Sequence, residues 1–352
     1  MRHAYVGCRT SAERKARGRG IGVWRIGAPD RAWEQIQLLE GHANPAWLTL
    51  SADGRRLYAV EGDGEWLHAF AVAPEGPVSH GVSRKLRGRN PVHAALSPCG
   101  RWLLVANHLS SALAVLPLDD AGWPGEVAHL HALDGPPGPH RVEQPFAKPH
   151  QVVFDPTGSL LLVPDKGLDV VHAFWLDRRT GRLEPLAGGR LREGSGPRHA
   201  AFHPSLPVAY VLGELNSTIT AMRFDAATGL LAPWQVIPSL PEDFCGESRA
   251  AAIAVTADGE ALLASNRGAD SVIAVALDPA TGRMGARHWA AAGGRTPRFM
   301  ALGPDGVLHV ASEDDDRILA FRHVGARLIP LGPVAATGSP TCIAYAAAQG
   351  PR

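Results

Sequence analysis

The feature that most constrains this chain is a strand-and-turn pattern that repeats along almost its whole length. Each copy has a start that usually contains proline, an apolar strand, a turn such as ADG or DPTG, a second strand, a polar loop and a third strand. A repeat of roughly 50 residues with several short strands predicts a β-propeller, in which each copy is one blade. Six copies align without gaps, and they begin at Asn44, Asn90, Lys148, Gly196, Arg249 and Thr296.

The two ends of the chain predict how the ring closes. A seventh copy starts at Ser339 but runs out after one strand, whereas AYVGCRTSAERKARGRGIGVWRI, from Ala4, matches the second and third strands of a blade. Joining both segments in one blade leaves no gap between blades. We therefore predict an all-β fold in which residues 1–352 form a single domain. This domain is a seven-bladed β-propeller whose last blade is closed by the N- and C-terminal segments.

Composition and charge argue against several classes of partner. The formal net charge is +1, so neither a nucleic acid nor an anionic membrane is an expected partner. The first residues lack an apolar signal core, and the chain contains no apolar run of about 18 residues. The cysteines are far apart and without CxxC spacing, which favours a reduced, cytoplasmic protein. They are Cys8, Cys99, Cys245 and Cys342.

The sequence also lacks the usual motifs for a cofactor or a metal. It contains no HExxH, no P-loop and no GxGxxG between a strand and a helix. The acidic run EDDDR at Glu313–Arg317 lacks the ligand spacing of a calcium loop, so it predicts a solvated turn rather than a cation site. We therefore expect a site that works without a cofactor and without a metal.

The repeat predicts that equivalent residues of all blades converge near the propeller axis. In an antiparallel pair, the start of the first strand and the end of the second lie at the same edge. The residue after each anchor position forms a first ring: Ala46, Val92, His150, Arg198, Ala251, Arg298 and Thr341. The loop after each second strand adds a second ring: Gly62, His108, Lys166, Glu214, Arg267, Glu313 and, from the N-terminal segment, Arg9.

These ring residues differ sharply between blades, which a purely structural ring would not require. His150, Arg198, Glu214 and Arg267 fall in consecutive blades and are the candidates for catalysis. Arginines bind carboxylate or phosphate and stabilise an oxyanion, while His and Glu transfer protons. There is no GxSxG elbow and no cysteine in either ring, so attack by water or an internal proton shift fits better than a covalent mechanism. The candidates for substrate binding are Arg9, His108, Lys166 and Arg298.

Three connections stand out by their length. The basic segment RTSAERKARGRG, from Arg9, is predicted to be a solvated strand connection, with an anion-binding flap as the alternative. Residues 119–146 form the longest insertion, and we expect it to hang over the ring face because it precedes the Pro149 strand. Whether this insertion is a lid stays open. A second long connection is expected from Ala232.

Several phrases together resemble one known family. They are YVG, NPAWLTLSADGRRLYAV, PHQVVFDPTG, VPDKGLD, GPRHAAFHP, YVLGEL and SNRGADSV, and they extend from Tyr5 to about Tyr345. The chain thereby resembles the seven-bladed lactonases, which include bacterial 6-phosphogluconolactonase and the fungal carboxymuconate lactonizing enzyme. The resemblance implies a metal-free site that hydrolyses or forms a lactone ring. Its functional residues would be His150, Arg198, Glu214 and Arg267.

The chain also departs from the family pattern at several positions. Lys148 stands where a His is common, His108 where a Tyr is frequent, and Ala251 and Ala252 where an acid is usual. These differences leave the substrate open between a lactone that carries a phosphate and one that carries a carboxylate. Either group could be held by Lys148, Lys166 and Arg298.

The sequence thus predicts a lactonase that hydrolyses a sugar-acid lactone, most similar to 6-phosphogluconolactonase. Water would attack with His150 and Glu214 as acid-base groups and with Arg198 and Arg267 as anion ligands. One alternative is a cycloisomerase of the carboxymuconate type that uses the same residues. Another is a non-catalytic propeller that binds a peptide or protein. The oligomeric state stays open.

Overall fold

The computed structural model describes residues 2–28 and 31–346, and their strands form seven antiparallel sheets. Six sheets follow one another along the chain, and we number these blades one to six from β4 onward. Blade seven has the order β29-β1-β2-β3, so strands from both ends of the chain share one sheet. The predicted all-β, seven-bladed propeller is confirmed. A single domain over the whole of residues 1–352 stays a prediction.

The strands are short and closely follow the repeat. The N-terminal strands of blade seven are β1 (Arg2–Cys8), β2 (Gly20–Ile26) and β3 (Glu34–Glu40). Blades one and two contain β4 (Pro45–Leu50), β5 (Arg56–Glu61), β6 (Trp66–Val72), β7 (Val78–Lys85), β8 (Pro91–Leu96), β9 (Trp102–Asn107), β10 (Ala112–Pro117) and β11 (His129–Ala132). Blade three contains β12 (Val153–Phe154), β13 (Leu161–Asp165), β14 (Val170–Leu176), β15 (Leu183–Pro185) and β16 (Gly189–Arg190).

The second half of the chain continues in the same way. Blades four and five contain β17 (Pro197–Phe202), β18 (Val208–Gly213), β19 (Thr218–Phe224), β20 (Leu231–Pro238), β21 (Arg249–Val255), β22 (Ala261–Arg267), β23 (Ser271–Leu277) and β24 (Met284–Ala291). Blade six and the closing strand are β25 (Pro297–Leu302), β26 (Leu308–Ser312), β27 (Arg317–Val324), β28 (Arg327–Ala336) and β29 (Pro340–Tyr345). Two single turns of 3₁₀ helix occupy Ala12–Arg14 and Glu313–Asp315.

The closing blade is held by a regular ladder between the two chain ends. Strand β1 pairs antiparallel with β29, and the register places Ala4 opposite Tyr345 and Val6 opposite Ile343. All four of these side chains are buried or partly buried in the same apolar cluster. The ring therefore closes through backbone hydrogen bonds and packing rather than through a disulfide, since all four cysteines are free thiols.

Apolar side chains fill the spaces between adjacent blades. The second strand of a blade packs on both faces, so β9 (WLLVAN) and β18 (VAYVLG) are buried at every residue. This explains why these strands are continuous apolar runs instead of alternating ones. Most outer strands face solvent along part of their length, as in β7 and β20.

Buried tyrosine hydroxyls link several neighbouring blades. Tyr58 in blade one donates a hydrogen bond to the carbonyl of Gly122 in blade two, at 2.6 Å. Tyr210 in blade four donates in the same way to Gly282 in blade five, also at 2.6 Å. Each hydroxyl is thereby satisfied at a buried position, where an unpaired polar group would be costly.

Two of the connections are more structured than the sequence suggested. The first part of the stretch from Ala232 belongs to strand β20, which leaves residues 239–248 as the connection. The insertion at residues 119–146 contains β11, the outer strand of blade two. Neither strand was predicted from the sequence, because outer strands that face solvent lack a continuous apolar pattern. Within the described ranges, the structure has no helix long and apolar enough to cross a membrane.

Candidate active site

A bulge at the start of most first strands turns one side chain toward the axis. The strand pairing skips one residue after the anchor proline in five blades: Ala46, Val92, Arg198, Arg298 and Thr341. A bulge interrupts the alternation of a strand and redirects the extra residue. The first ring therefore exists because these residues lie outside the ladder.

A single backbone hydrogen bond positions the second ring in the same way in several blades. The N–H of Glu214 donates to the carbonyl of Gly196 at 2.9 Å, and the N–H of Lys166 donates to that of Lys148 at 3.0 Å. His108 and Asn90 form the equivalent bond at 3.0 Å. Because this bond ties the end of each second strand to the start of the first, equivalent residues of the repeat occupy equivalent places.

The two rings meet in a cavity of about 310 Å³. Of the ring residues, Ala251 and Glu313 lie outside the lining of this cavity. Lys148, which could have held the charged group of the substrate, is also outside the lining, and its Nζ lies over the aromatic ring of Phe146. The structure brings all eight candidate residues to the wall of this one cavity: Arg9, His108, His150, Lys166, Arg198, Glu214, Arg267 and Arg298.

Glu214 is the centre of a buried network of ion pairs. Its Oε1 lies 2.8 Å from Nζ of Lys166, and its Oε2 lies 3.0 Å from Nε of Arg198 and 3.3 Å from Nη2 of Arg267. Arg249 approaches the same carboxylate at 3.7 Å. Of its four cationic partners, only Arg249 has a side chain that is about half exposed. We call Lys166, Arg198, Arg249, Arg267, Glu143 and Glu214 the Glu214 cluster.

The network determines the charge of its central carboxylate. Burial alone would raise the pKa of Glu214, but Arg267, Lys166 and Arg198 hold it well below its usual range. Burial lowers the pKa of Arg267, and the nearby Glu214 carboxylate opposes that effect. Glu214 is therefore an ionised counter-charge and a poor proton acceptor.

Three histidines, His108, His150 and His199, approach one another in the cavity wall, and a fourth, His93, lies next to His199 outside the lining. The ring of His150 lies edge-on to His108 at 5.1 Å and to His199 at 5.3 Å between centroids, and His93 stacks against Trp47 at 3.9 Å. Burial, followed by the positive charge of Arg198, lowers the pKa of His150 well below its usual value of 6.5. The imidazole is therefore neutral and able to accept a proton.

His150 and Glu214 share the cavity but are not directly coupled. Nδ1 of His150 is buried and has no hydrogen-bond partner within the described residues, so Nε2 is the nitrogen available to a ligand. The four cations around Glu214 occupy its carboxylate. The sequence predicted that these two residues act together as acid-base groups, but within the described residues their side chains form no hydrogen bond with each other.

A second group of charges surrounds Glu313, which the sequence assigned to a solvated turn. That prediction is wrong for Glu313, because its side chain is buried and pairs with Nε of Arg9 at 3.3 Å and Nε of Arg298 at 3.6 Å. The following acids do form a turn that is at least partly exposed, in which Asp315 pairs with Arg295 at 2.9 Å. We call Arg9, Arg298 and Glu313 the Glu313 cluster.

Two connections add charged residues that the repeat did not identify. Arg14, in the segment predicted to be solvated, lines the cavity mouth and bonds Asp63 of blade one at 2.9 Å. Glu143, in the insertion at residues 119–146, bonds Nζ of Lys166 at 2.9 Å and Nη1 of Arg249 at 2.6 Å. Both connections therefore reach the ring face, as expected for the insertion.

Metal-binding groups are not assembled at this site. Nowhere in residues 2–28 and 31–346 do three His, Cys, Asp or Glu side chains form a group that could hold a metal ion. The two buried thiols, Cys8 and Cys342, lie outside the cavity lining, and burial raises the pKa of each to about 12. Neither thiol has the character of a nucleophile at neutral pH.

Comparison with known proteins agrees with this architecture. The chain is 26% identical over 348 residues to a 6-phosphogluconolactonase of Bacillus subtilis, with 97% of each chain covered. It is 29% identical over 311 residues to a 6-phosphogluconolactonase of Yersinia pseudotuberculosis, with 86% of each covered. A solved structure of a periplasmic gluconolactonase from Pseudomonas aeruginosa superimposes with a TM-score of 0.89 at 26% identity, over 98% of this chain and 99% of that one.

A family-level match covers nearly the whole propeller. The sequence model described as lactonase, 7-bladed beta-propeller, matches residues 3–345. This range includes both strands that close blade seven and every candidate site residue. The predicted enzyme class, a lactone-hydrolysing hydrolase, is confirmed at this level. The chain belongs to the lactonase family of seven-bladed β-propellers.

Proposed function

We propose that this protein hydrolyses the lactone of a sugar acid, with 6-phosphogluconolactone as the first candidate substrate. The observation that carries the proposal is a cavity in which neutral His150 lies among six cationic side chains, with Arg198 and Arg267 held in place by Glu214. Such a cavity suits a small, negatively charged substrate whose reaction develops further negative charge. The names of the two curated relatives point to the same substrate.

The proposed reaction begins with attack by water on the carbonyl carbon of the lactone. Nε2 of His150 accepts a proton from this water as the new C–O bond forms. The negative charge that develops on the carbonyl oxygen is stabilised by the guanidinium groups of Arg198 and Arg267. The bond between the carbonyl carbon and the ring oxygen then breaks, and the His150 imidazolium returns its proton to that oxygen. The product is the open hydroxy acid.

Glu214 has a supporting part in this proposal. Its low pKa keeps it ionised, so it fixes the positions of Arg198 and Arg267 and does not itself take the proton. His108 contributes to the placement of His150 through ring packing, and its Nδ1 lies 3.2 Å from the carbonyl oxygen of Pro149. The cationic wall prepares the oxyanion site before substrate arrives, which is the source of most electrostatic catalysis.

The alternative functions differ in what the cavity must hold. A propeller that binds a peptide or a protein requires an open surface, whereas the charged groups here converge in a cavity of about 310 Å³. A cycloisomerase would use the same arginines and the same histidine, so the products of the reaction must separate it from a hydrolase. The predicted cytoplasmic location stays a prediction, since one structural relative is periplasmic.

The test is a panel of lactones led by 6-phosphogluconolactone, with acid release followed at neutral pH and product mass determined. We expect acid release and a product one water heavier than the substrate. Arg267→Ala should lower kcat by about 10²–10³. The control Arg295→Gln, at an exposed arginine paired with Asp315, should leave kcat unchanged. Absence of turnover on every lactone, or equal turnover in Arg267→Ala and wild type, would contradict the proposal.

A further inference from the structure

The arginines of the Glu214 and Glu313 clusters differ in how many of their guanidinium donors are hydrogen-bonded. Around Glu214, Arg198 also donates from Nη1 to the carbonyl of Ala251, and Arg267 donates from Nη2 to that of Ala250 at 3.2 Å. Within the described residues, the side chains of Arg9 and Arg298 donate no such hydrogen bond, and the shortest distance from each to the Glu313 carboxylate is measured from Nε. The outer edges of two guanidinium groups thus remain available at the Glu313 cluster.

Glu313 leaves part of the positive charge near it unbalanced. One carboxylate serves both Arg9 and Arg298, and their side chains are 14% and 18% exposed, so solvent neutralises little of the remainder. Burial, followed by repulsion from Arg298, lowers the pKa of Arg9 to about 10. An oxyanion between the two arginines would relieve this repulsion and accept two hydrogen bonds from each fork.

The cavity has room for a ligand group beside these arginines. Apart from Arg9 itself and His108, the ring positions of the three blades that follow Arg298 around the axis are small or uncharged: Thr341, Ala46, Gly62 and Val92. No long side chain at those ring positions competes for the outer edges of Arg9 and Arg298. In blades three to five, by contrast, the ring positions carry His150, Lys166, Arg198, Glu214 and Arg267.

Net charge alone does not show which of the two clusters binds an anionic group of the substrate. Four cations and two carboxylates form the Glu214 cluster, an excess of two positive charges, against two cations and one carboxylate around Glu313. Lys166, however, already donates to both Glu143 and Glu214, at 2.9 and 2.8 Å. An incoming anion at Lys166 would have to displace a carboxylate, whereas the Nη groups of Arg9 and Arg298 have no hydrogen-bond partner within the described residues.

From this asymmetry we infer that Arg9 and Arg298 form the subsite for the oxyanion substituent of the substrate, a phosphate or a carboxylate, and that Lys166 positions Glu214 instead. The inference deepens the proposed lactonase function, because it separates recognition of the charged substituent from the chemistry at the lactone carbonyl. In the bound state, the substituent lies at blades six and seven. The lactone ring then extends toward His150 in blade three.

Substrate charge provides the kinetic test. Arg298→Gln and Arg9→Gln should each raise KM for 6-phosphogluconolactone by about 10- to 100-fold and leave KM for uncharged gluconolactone nearly unchanged. A lactone that carries a carboxylate in place of the phosphate tells which oxyanion the subsite prefers. Arg298→Lys, which keeps the charge but loses the fork, should fall between the wild type and Arg298→Gln. Arg295→Gln is the matched control from the same blade.

A binding experiment separates this inference from the proposed reaction. Inorganic phosphate and 6-phosphogluconate are titrated into each folded variant by calorimetry, which requires no turnover. Weaker phosphate binding in Arg9→Gln and Arg298→Gln, with no change in Arg295→Gln, supports the subsite even if no lactone is hydrolysed. Unchanged phosphate binding in Arg298→Gln would overturn it.

Discussion

The two charged clusters of the cavity are built from the same kinds of residue at equivalent places in the repeat, yet they differ in completeness. At Glu214, one carboxylate is within ion-pair distance of four cations, and three of these side chains are 15% exposed or less. At Glu313, two arginines share one carboxylate at 3.3 and 3.6 Å, and their Nη groups donate no hydrogen bond within the described residues. A cluster that is internally paired fixes geometry, whereas an incompletely paired one binds a ligand.

The largest expected difference between the clusters is in stability. Glu214→Ala leaves buried cations without their counter-charge and should lower the free energy of unfolding by about 3–5 kcal/mol. Glu313→Ala, which removes the counter-charge of two cations instead of four, should cost about 1–3 kcal/mol. Equilibrium urea unfolding measures both losses, with the exposed Glu34→Ala as the control. Equal losses for Glu214→Ala and Glu313→Ala would remove the structural distinction between the clusters.

The pH dependence of catalysis tests the role of His150 as the base, which lies apart from the Glu313 cluster. Because the pKa of His150 lies well below 6.5, its imidazole stays neutral as the pH falls through 6.5. The acidic limb of kcat/KM should therefore lie below that value, since activity is lost only when the free enzyme's His150 gains a proton. A pH profile in buffers of constant ionic strength measures this limb. An apparent pKa at or above 6.5 would show that burial does not control the base.

The smallest effect is expected at the mouth of the cavity. Arg14 and Asp63 form a pair whose side chains are 41% and 32% exposed, so solvent and salt screen their interaction. Arg14→Gln should lower the free energy of unfolding by less than about 1 kcal/mol. The same urea titration used for Glu214→Ala provides the measurement. A loss as large as that of Glu313→Ala would mean that the mouth is a third cluster and not a screened rim.

The repeat allowed much of this site to be predicted. Six blades tie the end of the second strand to the start of the first by the same backbone hydrogen bond, so a residue such as Glu214 could be placed from alignment alone. The neighbouring His199 was missed because strand alternation would direct it away from the cavity. After the bulge at Arg198, both consecutive side chains reach the same space.

Residues outside the repeat could not be found in this way. Glu143 lies in an insertion that has no counterpart in the other blades, and its contact with Lys166 depends on how that insertion folds. The opposite error occurred at Glu313, where the composition of the acidic run predicted a solvated turn. Its position in the second ring was the better guide, because ring residues face the arginines of adjacent blades.

The most direct test of the account compares His150→Gln with Arg298→Gln on the lactone that the wild type hydrolyses fastest. If the clusters divide chemistry from recognition, His150→Gln lowers kcat by about 10²–10⁴ with little change in KM. Arg298→Gln then raises KM and leaves kcat close to that of the wild type. A wild-type kcat in His150→Gln, or the same pattern of kcat and KM in both variants, would contradict the account.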